Sequence, residues 1–186
     1  MTFADLKILM ARRYYRRRTI TRAPRKKWAS NIVTFTGAMT SNFFSHVLVT
    51  NAAQTASPTP VIVKVGNFKC QLDASYMYDA PSAANILCMT AYVMYVPEGI
   101  SVTTNAAAQD LIAKHPEWIM GWRQFNTDGL QAAQTAHTNS VTFSSRLKRN
   151  LNSGDSVQLF VVPYVGASVG WSGAVTGTVQ YWNCAN

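Results

Sequence analysis

From Ser30 to the C-terminus the sequence is a succession of strand-like segments, and this pattern limits the fold more than any other feature. Apolar residues alternate with polar ones, β-branched and aromatic residues are frequent, and Pro, Gly, Asn and Asp mark the turns. One short helix over 106–114 interrupts the strands, so the βαβ rhythm of a parallel sheet is missing. The eight predicted strands cover residues 31–39, 42–50, 61–73, 86–96, 118–125, 141–151, 156–165 and 174–184.

This pattern predicts an all-β protein in which residues 30–186 form a single eight-stranded antiparallel jelly roll, a type of β-sandwich. An immunoglobulin-like sandwich is less suitable, because the body is long and lacks the Cys…Trp…Cys arrangement. Segments 86–96 and 156–165 are apolar on both faces, so each strand should be covered on both sides, by its own core and by something else. We expect the body to self-assemble through these two strands and its long loops.

Four strands carry specific predictions about which side chains share a face. In residues 61–73 the apolar phase changes after Gly66, and a one-residue slip of this kind predicts a β-bulge. Alternation also predicts which apolar side chains share a face in three other segments. These sets are Phe43, Val47 and Val49; Trp118, Met120 and Trp122; and Val141, Phe143, Leu147 and Leu151.

The net charge of the chain comes from residues 1–29, which we predict to be an N-terminal arm. Up to Lys27 this arm has ten basic residues and one acidic residue, and the rest of the chain has seven of each. Arginine binds phosphate with a planar set of donors, and aromatic rings stack on unpaired bases, so the arm is predicted to bind nucleic acid. The predicted nucleic-acid-binding residues of the arm are Arg12, Arg13, Tyr14, Tyr15, Arg16, Arg17, Arg18, Arg22, Arg25, Lys26, Lys27 and Trp28.

Other interpretations of the arm are open at this point. A charge run is often a solvated, disordered tail, and an Arg-rich segment poor in acids is also typical of a mitochondrial transit peptide. Residues 2–18 have the spacing of an amphipathic helix, which fits a membrane-surface segment too. The arm alone does not distinguish DNA, RNA and anionic lipid as the polyanion.

A second, smaller basic group lies at Arg146, Lys148 and Arg149. We predict that it adds to the nucleic-acid-binding surface; the alternative is the exposed face of a strand. The remaining tryptophans are more typical of a core or an interface than of base stacking.

No catalytic motif is found, so the chain is not predicted to be an enzyme and no cofactor or metal site is expected. The nearest acid–base pair is His115 with Glu117, for which a structural role is favoured. Cys70, Cys88 and Cys184 lack metal-site or disulfide spacing and are interpreted as small hydrophobes. No apolar run has transmembrane length and no signal-peptide core is present, so we expect no membrane span and an intracellular origin.

Four segments of the body, together with the basic arm, resemble the capsid proteins of circovirus-like viruses. These viruses have small circular single-stranded DNA genomes and encode a rolling-circle Rep protein. The segments are VKVGNFKCQLD (63–73), AYVMYVPEGI (91–100), HPEWIMGWR (115–123) and SSRLKRNLNSGDSVQLFVV (144–162).

The resemblance implies a homo-oligomeric icosahedral shell, of the simplest T=1-like kind, with the arm inside on the single-stranded DNA genome. It also implies that Arg16–Arg18 and Arg25–Lys27 serve as a nuclear localisation signal for the host import machinery. The protein would then occupy the virion, and the host nucleus during assembly, and RNA would replace DNA in a heterologous host. This arm is shorter and less purely arginine than in many circoviruses.

Two other function classes are consistent with the residues themselves. The first is a non-assembling β-sandwich protein that binds nucleic acid or carbohydrate. The second is an imported organellar enzyme whose arm is cleaved.

Overall fold

The computed structural model describes residues 27–39, 43–52, 62–78, 86–125, 137–165 and 171–185. Within these ranges it has eight strands, one α-helix and one short 3-10 helix, which confirms the predicted all-β class. The elements are β1 (Ala29–Ala38), β2 (Phe44–Thr50), β3 (Val63–Tyr78), β4 (Ile86–Val96), α1 (Asn105–Lys114), the 3-10 helix (Pro116–Trp118), β5 (Ile119–Phe125), β6 (His137–Leu151), β7 (Ser156–Val165) and β8 (Trp171–Ala185).

The strands form two four-stranded antiparallel sheets. Sheet 1 has the order β1-β8-β3-β6 and sheet 2 has the order β2-β7-β4-β5. Each strand of the first half pairs with its counterpart counted from the end, β1 with β8, β2 with β7, β3 with β6 and β4 with β5. A long hairpin rolled up in this way is a jelly roll, so the predicted fold is confirmed.

The main core lies between the two sheets, where inward side chains of alternating strand positions meet. Its largest fully buried side chains include Phe68 and Leu72 of sheet 1 and Met89, Val93 and Leu159 of sheet 2. A jelly roll of this size therefore buries a continuous apolar layer without a disulfide. Burial in this layer raises the pKa of the Cys70 thiol to about 12. Cys70 and Cys184 are buried, as expected for small hydrophobes, while Cys88 is half-buried.

The β-bulge predicted in β3 is confirmed. The pairing of β3 with β6 changes register between Gly66 and Phe68, and Asn67 between them has a left-handed backbone with φ of 55°. Asparagine tolerates this conformation better than most residues. The slip lets Val65 and Phe68 both point into the core, although they are an odd number of positions apart.

A second apolar cluster lies on the outer face of sheet 2 and explains why β4 and β7 are apolar on both sides. Met94 and Phe160 of these strands pack under α1, through its buried residues Ala108 and Leu111. Thr104 is the N-cap of the helix, and its side chain accepts a hydrogen bond of 3.2 Å from the Ala107 N–H. The second layer is therefore the chain's own helix, and these strands need no other copy to cover them.

The predicted faces of β2 and β5 are wrong. In β2 Phe44 and Leu48 face the core and Val49 packs against it as predicted, while Val47 is 48% exposed and Phe43 belongs to the cluster under α1. The register of β2 against β7 shifts between Val47 and Val49, which breaks simple alternation.

In β5 Met120 is buried and Trp122 is 60% exposed, although the two residues are an even number of positions apart. The register of β4 against β5 shifts between Val93 and Met94, so alternation fails here as well. Trp118 lies before β5, in the 3-10 helix. Leu147, predicted to face the core in β6, is 58% exposed beside the β3 bulge.

Candidate nucleic-acid interface

The structure describes part of the predicted nucleic-acid-binding set, namely Lys27, Trp28, Arg146, Lys148 and Arg149. The others lie outside the described residues, as does the predicted helix over 2–18, so their role stays a prediction. These are Arg12, Arg13, Tyr14, Tyr15, Arg16, Arg17, Arg18, Arg22, Arg25 and Lys26.

Charge is distributed unevenly between the two sheets. The strands of sheet 1 contain five basic residues and one acidic residue, Asp73. The strands of sheet 2 contain one basic residue, Arg123, and no acidic one. The other carboxylates among the described residues, Glu98, Asp110, Glu117 and Asp155, lie in turns or helices. The body is neutral as a whole, yet its first sheet is positively charged.

The root of the arm lies against this charged sheet. Trp28 precedes β1, and the Lys148 ammonium on β6 is 5.2 Å from the centroid of its indole ring. Both side chains are exposed, so the contact is a surface cation–π pair. The contact links the two edges of sheet 1, because β1 and β6 are the edge strands of that sheet.

A second cation–π pair lies on the same face. The Lys69 ammonium on β3 is 5.5 Å from the ring centroid of Trp182 on β8. Cys70 and Tyr181, their chain neighbours, are buried in the core, so Lys69 and Trp182 point outward. We call the outer surface of sheet 1 that contains Trp28, Lys64, Lys69, Lys148 and Trp182 the basic–aromatic face.

An open depression of about 630 Å³ adjoins this face. Lys69 lines it together with hydroxyl and amide side chains from β3, β6 and β8 and with apolar side chains such as Ile32, so its lining is of mixed polarity and Lys69 is the charged residue among those that form it. The lining residues are Ile32, Lys69, Cys70, Gln71, Thr142, Phe143, Ser144, Thr178 and Gln180. Gln180 is oriented by a hydrogen bond of 3.0 Å from its side-chain nitrogen to the Ser30 hydroxyl.

The smaller basic group predicted on β6 is divided by the strand geometry. Arg146 and Lys148 are exposed, whereas Arg149 donates a hydrogen bond to the Glu117 carbonyl oxygen and lies 5.2 Å from the Tyr95 ring centroid. Arg149 therefore connects β6 to the 3-10 helix and β4, away from the basic–aromatic face.

A buried carboxylate, Asp155, organises the strand ends next to Arg149. It is 4% exposed and accepts hydrogen bonds from the Tyr95 hydroxyl at 2.8 Å, the Asn152 N–H at 2.8 Å and the Glu98 N–H at 3.2 Å. Burial, and then the hydrogen bond to Asp155, raise the pKa of Tyr95 to about 12. The network holds the β6–β7 turn against the end of β4.

The pair His115 and Glu117 has the proximity that the sequence suggested. The His115 Nδ1 atom is 3.1 Å from a Glu117 carboxylate oxygen, and the His115 ring stacks on Trp118 with centroids 3.8 Å apart. A backbone hydrogen bond, and then the bond to His115, lower the pKa of Glu117. These contacts order the chain before β5, and the absence of catalysis at this pair stays a prediction.

Sequence reasoning missed the Lys69–Trp182 pair and the depression beside it. Alternation along β8 places Trp182 and the core residue Tyr181 on opposite faces of the sheet. This pattern could have predicted that Trp182 points outward. The pairing of β3 with β8, which brings Lys69 to the ring, joins segments more than a hundred residues apart and leaves no local trace.

No helix in the described part of the chain combines the length and the apolar character needed to cross a membrane. Likewise, no group of three or more His, Cys, Asp or Glu side chains that could hold a metal ion is found among the described residues.

No protein-family model matches the sequence, and no curated protein matches it. Among solved structures, the chain is similar to a chain in the structure of infectious bursal disease virus Gx strain. The identity is 9% and the TM-score 0.34, over 84% of this chain and 32% of the viral one. It is also similar to the structure of Eiger TNF from S. frugiperda, with 7% identity and a TM-score of 0.33, over 83% of this chain and 91% of the other. The chain thus spans about a third of the viral chain. Similarities this low carry no argument about function.

Proposed function

We propose that this protein is the capsid protein of a small single-stranded DNA virus, with the jelly roll as shell domain and residues 1–29 as a DNA-binding arm. The copies would assemble into an icosahedral, T=1-like homo-oligomeric shell around the genome. The chain would be found in the virion and, during assembly, in the host nucleus, where the basic runs of the arm act as the import signal.

The observation that carries this proposal is that the net charge of the chain lies in the arm, while the folded body is neutral. All of the net charge of +9 lies in the arm, and the arm joins a neutral jelly roll at β1. The junction is not isolated from the body, since Trp28 contacts Lys148 on the positively charged sheet. A cationic arm on a neutral body holds a polyanion while leaving the body available for contacts with other copies.

The exposed apolar side chains support assembly. Trp122 and Leu147 are each more than half exposed, in a body with few charges. Aromatic side chains such as Trp122 are enriched at protein contact sites relative to the rest of the surface. The apolar strands β4 and β7 do not supply such a site, because α1 covers them.

The arm is tested by the salt dependence of DNA binding. If its nine net charges meet phosphate, the log–log slope of affinity against salt for a single strand is about −6. Replacing Arg12, Arg13, Arg16, Arg17 and Arg18 by Gln should reduce the slope to about −3 in the full chain. A slope near zero for the unaltered protein would refute the use of the arm.

Assembly is tested separately by size-exclusion chromatography and electron microscopy of the purified chain at physiological salt. The proposal expects closed particles that protect nucleic acid from nuclease. A folded protein that stays a small species at every concentration would contradict a shell.

A monomeric nucleic-acid-binding β-sandwich is the second candidate. It is favoured by the covering of sheet 2 by α1, because a helix that buries the outer apolar face leaves the folded subunit stable alone. Such a protein would keep the salt-dependent DNA binding and would never form particles.

A further inference from the structure

We propose that the basic–aromatic face is a second, structured binding site for single-stranded nucleic acid. One nucleotide would occupy the depression beside Lys69 and Trp182. The inference rests on the proposed function, since it adds a site on the folded body to the one assigned to the arm.

The charge of sheet 1 selects an anionic occupant. Lys64, Lys69 and Lys148 lie on its outer surface, and its one carboxylate, Asp73, lies further along β3 and accepts a hydrogen bond from the Ser140 hydroxyl. An anion at Lys69 would therefore have Lys64 on the same strand and Lys148 on β6 to one side, and a single carboxylate, Asp73, four positions along β3 to the other. The cationic arm is excluded as the occupant, because it has the same sign of charge.

The aromatic rings select an occupant that has flat groups as well as charge. Trp28 and Trp182 each lie next to a lysine ammonium, at 5.2 Å and 5.5 Å from the ring centroids. A nucleotide satisfies both members of such a pair, with its phosphate on the ammonium and its base against the ring. Anionic lipid headgroups would use the lysines and leave the rings without a stacking partner.

The register of the strands places the two pairs side by side. Trp182 and Lys148 both pair with Gly66, which lies between them in the sheet. A Cβ atom on Gly66 would come within 2.6 Å of the Leu147 carbonyl oxygen and of the Lys148 side chain. Gly66 is buried, and because it has no side chain the Lys148 side chain can lie across β3 at this position, which brings the two pairs together on one face.

The depression provides a place for a base. Its volume of about 630 Å³ is within the range of small-molecule sites, and one end is formed by Lys69. Gln71, Thr178 and Gln180 can donate and accept hydrogen bonds with any base edge, and the exposed Ile32 adds an apolar contact. We therefore expect binding that tolerates any sequence and that requires unpaired bases.

Photocrosslinking of the full chain tests the location. The probe is a fluorescein-labelled (dT)12 containing 5-iodouracil, and digestion with trypsin followed by mass spectrometry maps the crosslinked residue. Trp182 is in the tryptic peptide 150–186, which contains no arm residue. A crosslink at Trp182 is expected. Crosslinks confined to Tyr14 and Tyr15 of the arm would overturn this inference while supporting the proposed function, and no binding at all would refute both.

Matched variants test the energetics in the same full chain. Lys69→Gln should reduce the magnitude of the salt slope by about 0.7, as for the loss of one phosphate contact. Lys114→Gln removes the same charge from α1, whose Lys114 pairs with Asp110, and should leave the slope unchanged. Equal slopes for the two variants would overturn the proposal.

Replacement of the ring tests stacking. Trp182→Leu should weaken (dT)12 binding at least about fivefold, the lower end for one base–aromatic stack, and Trp182→Phe should weaken it less. If the Leu variant, the Phe variant and the unaltered chain bind (dT)12 with equal affinity, the stack is refuted. If the Leu variant does not fold, the affinity of the Phe variant and the salt slope of Lys69→Gln test the proposal instead. A Lys69→Gln effect seen with phosphatidylserine vesicles and not with (dT)12 would instead assign the face to lipid.

Discussion

The buried carboxylate of Asp155 gives the sharpest test of the strand-end network. It accepts hydrogen bonds from the Tyr95 hydroxyl, the Asn152 N–H and the Glu98 N–H, at 2.8, 2.8 and 3.2 Å. Asp155 is 4% exposed, and removing its carboxylate leaves three donors without their acceptor, while removing the Tyr95 hydroxyl leaves the other two bonds in place. The two substitutions should therefore differ in cost and should not be additive.

The expected magnitudes follow from the number of bonds. A hydrogen bond to a charged group contributes about 1.5–3 kcal/mol, so Tyr95→Phe should lower the free energy of unfolding by about 1.5–2 kcal/mol. Asp155→Ala breaks all three bonds but also removes a buried charge, which offsets part of the loss, and should cost about 3–5 kcal/mol. Once Asp155 has been replaced, the change Tyr95→Phe breaks no further hydrogen bond to it. The two effects should therefore not add, and a coupling energy of about 1–2 kcal/mol is expected.

Urea denaturation followed by circular dichroism measures these values, with the slope m held in common. Tyr164→Phe is the matched control, because its hydroxyl contacts another neutral hydroxyl, that of Tyr92, at 3.4 Å. It should cost less than about 1 kcal/mol. The reasoning is refuted if Tyr95→Phe is no more destabilising than Tyr164→Phe, or if the effects of Tyr95→Phe and Asp155→Ala simply add.

Two further predictions concern packing and pH. Leu151→Ala should lower the free energy of unfolding by about 2–5 kcal/mol because Leu151 is fully buried, whereas Leu147→Ala on the same strand should change it by less than about 0.5 kcal/mol. Equal costs in urea denaturation would contradict the orientation of β6. The pKa of Tyr95 is raised to about 12 in the folded protein, above about 10 in an unfolded chain. Its contribution to stability is therefore complete below pH 10 and is lost as the pH rises through 12. Melting temperatures should fall over this interval, and less so in Tyr95→Phe; a fall of the same size in both proteins would exclude Tyr95 as the cause.

Much of the fold could be predicted because turn residues in the sequence mark where several strands begin and end. The predicted bounds of β4 and β7 agree with the structure, since continuous apolar runs stop at Pro97 and begin after Asp155. The bulge in β3 could be predicted because Gly66 interrupts two apolar phases that cannot share one regular strand.

What could not be predicted depends on contacts between distant segments. The faces of Leu48 and Trp122 follow from register shifts against β7 and β4, which local alternation does not reveal. The second face of β4 was expected to be covered through contacts with other copies of the chain. In the structure α1 covers it, which depends on how residues 97–104 return over sheet 2. The candidate site was only partly predicted, because Lys69 and Trp182 meet through the pairing of β3 with β8.

The pairing of the described strands has a consequence for how the chain is made. Every ladder joins a member of β1–β4 to a member of β5–β8, so the first half of the domain contains no two strands that pair with each other. While the ribosome is still synthesising β5, the first four strands have no backbone partners within the chain. Folding must therefore wait until most of the polypeptide has left the exit tunnel, and a nascent chain arrested before β5 would be a substrate for chaperones rather than a half-built sheet.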